Sequence, residues 1–459
     1  MTAPRAPRVA LIVDNPLRDL DGMVLLAWHL ARCGVDAVLV PMYVQGFDVI
    51  SLRPNLVLAN YIRRNNVDLL RMYRQRGIRV GVLDTEGNAK SAEEFAGIVS
   101  RMPLSPLLDL YCFWGEGQLR AMKKTSVQLP PLTRVTGCPR FDYCSPPWID
   151  ALSPVDGPKE YILINTNFPS ANPRFSAGSE NEIRTMRRVG YDADHAARFV
   201  ADSRRSLDRV METVRRLAVR WPAENFILRP HPFENMATYE ALKGPNVMLR
   251  REGTSLQWIR SAKMLIHQNC STAIEAVMMG REPVSLEWFN TPALLVPGPR
   301  RVSRNANSPE ELEHIVESLL AGRPGPLTAD QQTARRELVE GLFGPADGRS
   351  SERVADAVVD VLSGPTAGRP AGPGPSFRTR AVYAVRRALG VAGAEKIRRW
   401  FSPAPRESAR AAKRFEVETV RQTLARLSAA AGEAAPRVSA LAGPGLSGQS
   451  ILIEATDGA

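Results

Sequence analysis

Residues 263–287 read KMLIHQNCSTAIEAVMMGREPVSLE. The apolar run 264–266 has the composition of a buried strand, and a short polar loop, His267 to Thr272, follows it. An apolar segment of about two helical turns comes next, closed by Gly280, and residues 283–286 then form a second buried run. Thr272-x-x-Glu275 fits a capping box, and Gly280 stands where a helix C-cap is expected. A strand–loop–helix–strand unit of this kind builds a parallel sheet. It also turns the free N–H groups of a helix start toward whatever lies beyond the strand's carboxyl end, which suits a phosphate. A purely structural βαβ unit would carry the same pattern, so the stretch alone leaves both readings open.

The alternation continues outward on both sides. Upstream lie a strand at Tyr161–Asn165, a long polar segment at 166–192, a basic helix at Ala193–Arg220, and strands at Phe226–Arg229 and Val247–Leu249. Downstream, helices are expected at Pro309–Leu320 and 351–362. A separate series opens the chain, with strands at 8–13, 37–40, 56–59, 78–83, 111–114 and 134–136 and helices at 22–33 and 66–76. Short connections and β-branched runs between helices predict parallel sheets covered on both faces. The expected fold class is α/β, with two doubly wound, Rossmann-like domains at 1–148 and 158–363 facing a cleft. Beyond them, GPTAGRPAGPGPS at 364–376 is a linker by composition. The tail at 364–459 is expected to carry a basic amphipathic segment at 377–401, a helix near 407–430 and a disordered Ala/Gly/Ser-rich end.

Composition narrows the function classes. A chain of 459 residues that is 44% hydrophobic can fill more than one core. Net charge of +12 favours anionic partners. With 7% aromatic residues and no basic–aromatic weave, nucleic acid is not expected among them. Five scattered cysteines without a CxxC pair fit reduced thiols. The first 16 residues lack a signal-peptide core, and no apolar run approaches membrane-spanning length. The expected location is the cytoplasm, with residues 377–401 able to rest on the anionic inner face of the cell membrane.

Unusual polar residues gather at the ends of the expected strands. Asp84 and Glu86, two apart beside Gly87, suit a general base or, more plainly, an Asx-type turn. Arg229-Pro-His231-Pro holds a cation and an imidazole between prolines, an arrangement suited to a departing phosphate or to a rigid turn. Asn165, Thr166 and Asn167 could hydrogen-bond a phosphate or sugar, as could His267, Asn269, Ser271 and Thr272. Glu275 could complete its capping box or reach a ribose. Asp192-Ala-Asp194 matches a metal-binding DxD, but it precedes a long helix and reads better as a cap, so no metal is expected.

Taken together, LDTEG, RPHP and HQNCSTAIEA resemble motifs of GT-B glycosyltransferases that use CMP-activated sugars, the sialyl and Kdo transferases among them. Arg18-Asp-Leu-Asp-Gly22 with LLAWHLARCG, NYIRRNN, ILINTNFPSANPRF and Asp347-Gly-Arg-Ser-Ser-Glu352 is similar to the bacterial and archaeal surface carbohydrate biosynthesis protein family. The resemblance covers about residues 10–362. It implies a GT-B fold whose second domain binds a nucleotide-sugar donor, a CMP-sugar by preference, with no cofactor. His231, Arg229 and Ser271/Thr272 would hold the donor phosphate, Glu86 or Asp84 would be the base, and Asp14, Arg18, Asp21 and Asn60 would lie on the acceptor side. The activity so implied is transfer of a sugar to a surface polysaccharide or lipid-linked glycan precursor. Alternatives are a nucleotide-sugar 2-epimerase, a polyol-phosphate transferase, or a non-catalytic scaffold of envelope assembly. Thr85 between the carboxylates departs from the sialyltransferase pattern, and Pro283 excludes the Glu-x7-Glu pattern of another GT-B group.

Overall fold

The structure, a computed structural model, describes residues 6–85, 91–176, 178–188, 191–364, 374–401 and 404–456. These form two compact units, residues 1–152 with 339–459, and residues 153–338. The first unit begins with strands β1 (Arg8–Val13), β2 (Asp36–Pro41), β3 (Leu56–Ala59), β4 (Arg79–Leu83), β5 (Leu110–Phe113) and β6 (Leu132–Val135). The second contributes β7 (Tyr161–Asn165), β8 (Phe226–Arg229), β9 (Val247–Leu249), β10 (Ala262–His267), β11 (Glu282–Leu286) and β12 (Arg304–Ala306). The chain's end adds β13 (Val438–Ala440) and β14 (Ile451–Ile453) to the first unit.

Both sheets are doubly wound, as expected. In the second unit the order is β12-β11-β10-β7-β8-β9, with every adjacent pair parallel. The order reverses between β7 and β10, so their carboxyl ends, Asn165 and His267, flank the crevice where such sheets bind ligands. In the first unit β2-β1-β3-β4-β5-β6 run parallel and the reversal lies between β1 and β3. The residues following those strands are Asp14 and Asn60. The strands are apolar on both faces because helices cover both: Val9, Ala10, Leu11 and Val13 of β1 are wholly buried, as are Ile162 and Leu163 of β7.

Three features differ from the sequence expectation. Helix Ser350–Ser363 packs within the first unit, where the Asp142 carboxylate accepts the N–H groups of Ser350 (2.8 Å) and Ser351 (2.7 Å). Two strands form near the end of the chain: β14 pairs antiparallel with β2, matching Leu452 to Val38, and β13 pairs with β14. Its Ile-Leu-Ile run is short but buried on both faces, and pairing with β2 satisfies its backbone, which a disordered end would leave to water. Helix Asp21–Arg32, expected to be amphipathic, is buried from Gly22 to Ala31, because helices Ser350–Ser363 and Val417–Ala431 pack on it. The Trp28 indole N–H there donates to Ser428 Oγ at 3.1 Å.

Candidate functional site

The second unit's crevice is built on the β7 and β8 ends. Glu234, wholly buried, ties them together. Its carboxylate accepts the Thr166 hydroxyl (2.8 Å), the Phe168 and His231 N–H groups (both 3.0 Å) and the Tyr239 hydroxyl. Burial raises its pKa, and these four donors work against that shift. Arg251 holds the Glu234 carbonyl and Arg174 the Pro232 carbonyl (3.4 Å), so cations brace the Arg-Pro-His-Pro turn from two sides. The His231 ring is half-buried, and its Nδ1 accepts the Phe233 N–H at 3.2 Å. In the neutral ring the proton therefore sits on Nε2, which can donate to an anion. Arg229 is buried, with its guanidinium on the Gly253 carbonyl, and burial lowers its pKa. It braces the wall more than it faces solvent.

Asn165 stands at the sheet reversal and is 4% exposed. Its Nδ2 donates to Thr272 Oγ1 at 3.0 Å, and the Thr272 hydroxyl donates onward to Cys270 Sγ at 3.0 Å. Asn165 Oδ1 is buried and has no hydrogen-bond partner among the described residues. An acceptor of this kind is satisfied by a donor, either water or a ligand hydroxyl. A sugar or ribose hydroxyl would serve as that donor. A deprotonated phosphate oxygen could not serve.

The loop after β10 departs from its expected roles. Helix Thr272–Met278 has no side-chain cap: Thr272 is engaged by Asn165, while Glu275 accepts the Ser255 hydroxyl at 2.5 Å. The capping box is therefore not formed, although Gly280 does take the left-handed conformation (φ 66°) after this helix. Ser271 is exposed, and Asn167, also exposed, reaches the Asn269 carbonyl (3.3 Å). Asn269 adopts φ 50° and pairs its amide with Asn290 at 2.8 and 3.2 Å. His267 points away from the crevice. It is wholly buried, its Nε2 lies 2.9 Å from Ser303 Oγ, and desolvation pulls its pKa down to about 3. It is a neutral core histidine. Asp192 accepts the N–H groups of Asp194 and His195 (both 3.0 Å), so the DxD match is a helix cap.

In the first unit, Asp14 receives Arg18 Nη2 at 3.2 Å and Lys413 Nζ at 2.6 Å. Arg18 also pairs with the buried Asp19 (2.7 Å) and reaches Thr85 Oγ1 (3.5 Å). The Thr85 N–H donates to the Asn60 carbonyl at 2.9 Å, joining the β4 and β3 ends. Asp14, Arg18 and Asn60 thus gather at one reversal point, with Thr85 between them. Asp21 stands apart. Its strongest charged neighbour is Arg426, and burial lifts its carboxyl to about 6. Asp84 is buried, with Oδ2 bound to Arg63 at 2.9 Å. Glu86 lies outside the described residues.

Sequence reading missed Glu234, Asp19, Arg63 and Lys413. Glu234 could have been found, since it stands three residues after His231 in the same strand-end turn. No local signal marks Lys413.

No protein-family model and no curated protein matches this chain. Among solved structures it is similar to the UDP-GlcNAc 2-epimerase of Methanocaldococcus jannaschii, with 11% identity over 77% of this chain and 99% of that one and a TM-score of 0.46. It is also similar to the UDP-GlcNAc 2-epimerase of Neisseria meningitidis, with 11% identity, 77% and 100% covered and a TM-score of 0.44. For Acinetobacter baumannii MurG the values are 11% identity, 77% and 99% covered and a TM-score of 0.37. At these values the likeness adds nothing to the two doubly wound sheets already described.

Proposed function

We propose that this chain is an enzyme acting on a nucleotide sugar, bound in the crevice between β7 and β10 of the second unit. The observation that carries the reading is the sheet reversal between β7 and β10, where the Asn165 carboxamide stands at the strand end beside the braced Arg-Pro-His-Pro turn. His231 Nε2, half-buried in its braced turn, and exposed Ser271 would bind the phosphates, with Arg229 supporting the wall from within. Glu234 is a positioning residue, since it acts by fixing the backbone of His231.

Two reactions fit this class. Epimerisation at a sugar carbon needs the nucleotide sugar alone and a base to remove a C–H proton. Transfer needs an acceptor hydroxyl, and the polar reversal point of the first unit, with Asp14, Arg18 and Asn60, supports that second reading. For transfer, Asp84 is a poor base, because Arg63 occupies its carboxylate, and Glu86 is the proposed base for the acceptor hydroxyl. The acceptor would be a surface glycan or a lipid-linked precursor, and UDP and CMP are both candidate nucleotides.

The test is incubation with UDP- and CMP-sugars, first alone and then with a lipid-linked acceptor, followed by NMR of the sugar. A new epimer without acceptor supports epimerisation, and free nucleotide only with acceptor supports transfer. Glu86→Gln and His231→Ala should each abolish most turnover. Full activity in both variants would overturn these roles, and no calorimetric binding of UDP or CMP would sink the nucleotide-sugar reading.

A further inference from the structure

Helix Phe377–Phe401 runs beside the loops that follow β2 and β3, and between them lies a pocket of about 220 Å³. Its walls include Tyr43, Tyr61, Tyr383, Arg386, Arg398 and Arg410. Glu395, 3.3 Å from Arg398, is the one carboxylate among the lining residues. Three guanidiniums against one carboxylate leave the pocket cationic. The surroundings reinforce this, because Arg76 is held below its usual pKa by burial and by repulsion from Arg387 and Arg53.

The pocket is built by specific docking. The Asp68 carboxylate accepts the Ser376 N–H (3.3 Å) and the Thr379 hydroxyl (3.0 Å), fixing the start of the helix. Tyr383 packs over Gly46, where an added Cβ would lie 2.5 Å from the phenol oxygen and would displace the ring. Gly390, at φ 67°, kinks the helix and lets Ala394, Glu395 and Arg398 line the same pocket as Tyr383 and Arg386.

The helix's outer side is apolar and basic. Val382, Val385 and Leu389, spaced i, i+3, i+7, are exposed on one face. Phe377, Trp400 and Phe401 are each about four-fifths exposed. Arg378, Arg380, Arg387, Lys396 and Arg399 stand exposed among them. An apolar stripe with aromatic ends and flanking cations suits the headgroup depth of an anionic bilayer. No described helix is long and apolar enough to cross one. A helix resting at that depth brings lipid phosphates level with its flanks, where Arg386 and Arg398 stand.

We propose that this pocket binds the phosphate headgroup of an anionic lipid while the outer face of the helix rests on the membrane. The proposal stands whichever reaction the second unit performs.

The test compares the full chain on vesicles of phosphatidylcholine alone and of phosphatidylcholine with phosphatidylglycerol. Binding should require phosphatidylglycerol. Arg386→Gln with Arg398→Gln should weaken it roughly thirtyfold, while Arg378→Gln with Arg399→Gln, an equal loss of charge outside the pocket, should weaken it only about threefold. Trp400→Ala with Phe401→Ala should also weaken it and leave the phosphate-dependent part intact. Equal losses in the two arginine pairs would reduce the effect to general electrostatics and overturn the pocket. Soluble glycerol phosphate binding that is lost in the Arg386/Arg398 variant, with vesicle binding unchanged, would make a free phosphate the ligand and overturn the lipid.

Discussion

Lys413 places its ammonium 2.6 Å from the Asp14 carboxylate, and 399 residues of chain separate the two. Asp14 follows β1 at the first unit's sheet reversal, and Lys413 stands between the Ala404–Ala411 and Val417–Ala431 helices, in a stretch expected to be one helix over 407–430. The same lysine lies over the Tyr43 ring at 5.3 Å, so the tail enters the crevice with a charge and a ring contact.

Lys413→Ala should therefore cost stability as well as charge. Both side chains are largely buried, at 13% and 7% exposed, but Asp14 keeps Arg18. The expected loss is about 2 kcal/mol, below the roughly 3–5 kcal/mol of a buried pair broken outright. Urea denaturation measures it, and a midpoint equal to that of the parent protein would mean the pair contributes nothing.

Removing the Glu234 side chain as Glu234→Leu leaves four donors facing an apolar group. We expect a loss of about 3–5 kcal/mol and release of the Arg-Pro-His-Pro turn. Hydrogen exchange at the His231 and Phe168 amides reports on it directly, and unchanged protection would show the turn held by other bonds.

Asn165→Ala should weaken binding of a nucleotide sugar about tenfold, with little change in melting temperature, because the lost bond to Thr272 is a neutral one. Calorimetry with UDP- and CMP-sugars decides the matter. Equal affinity in the variant would remove Asn165 from the site.

Acid should destabilise the protein through two buried histidines. Burial holds His267 near 3 and His29 near 4, against about 6.5 in the unfolded chain. Below pH 6.5 the unfolded state gains protons that the folded state does not, so stability falls with pH. Asp21, lifted to about 6, acts in the opposite sense between its unfolded value and 6, because the folded state there binds the extra proton. Glu234, also raised, acts in the same direction as Asp21. The net loss from pH 6.5 to 5 should be about 2 kcal/mol, and His267→Gln should remove most of it. Urea midpoints that stay flat across that range in the parent protein would contradict this.

Leu452→Pro should open the tail. β14 lies between β2 and β13, so the substitution removes a ladder bond inside the sheet and costs roughly 3 kcal/mol. Limited proteolysis should then cleave beyond Ala431, and a tail as resistant as the parent's would refute the pairing. For the same reason, deleting residues 365–459 would strip β13, β14 and Lys413 from the first unit together, so the membrane test relies on point variants of the helix.

Much of this molecule was legible as sequence because its signals are local. Period, composition and turn residues placed β1, β3, β7, β8 and β9 at or within a residue of their observed bounds, and the Ala193–Arg220 helix at both ends. They also marked the strand ends where Asp14, Asn60, Asn165 and His231 stand. The roles of those residues were less legible. His267 and Asn165 are both polar strand-end residues in neighbouring parallel strands, yet one ring turns to Ser303 in the core and the other side chain binds Thr272 at the crevice. That choice depends on where Ser303 and Thr272 arrive, which no local pattern encodes.

The sequence by itself determined two parallel α/β sheets, their reversal points, and a basic helix with an apolar stripe, because each follows from residue spacing along a single element. Only the tertiary structure decided that the opening stretch leaves its capping box unformed and that Asp21–Arg32 is buried on its outer face. Only it returned the last strands to β2 and set Lys413 on Asp14. These depend on contacts between distant segments, where burial and hydrogen-bond satisfaction of the whole unit outweigh the preferences of any one stretch.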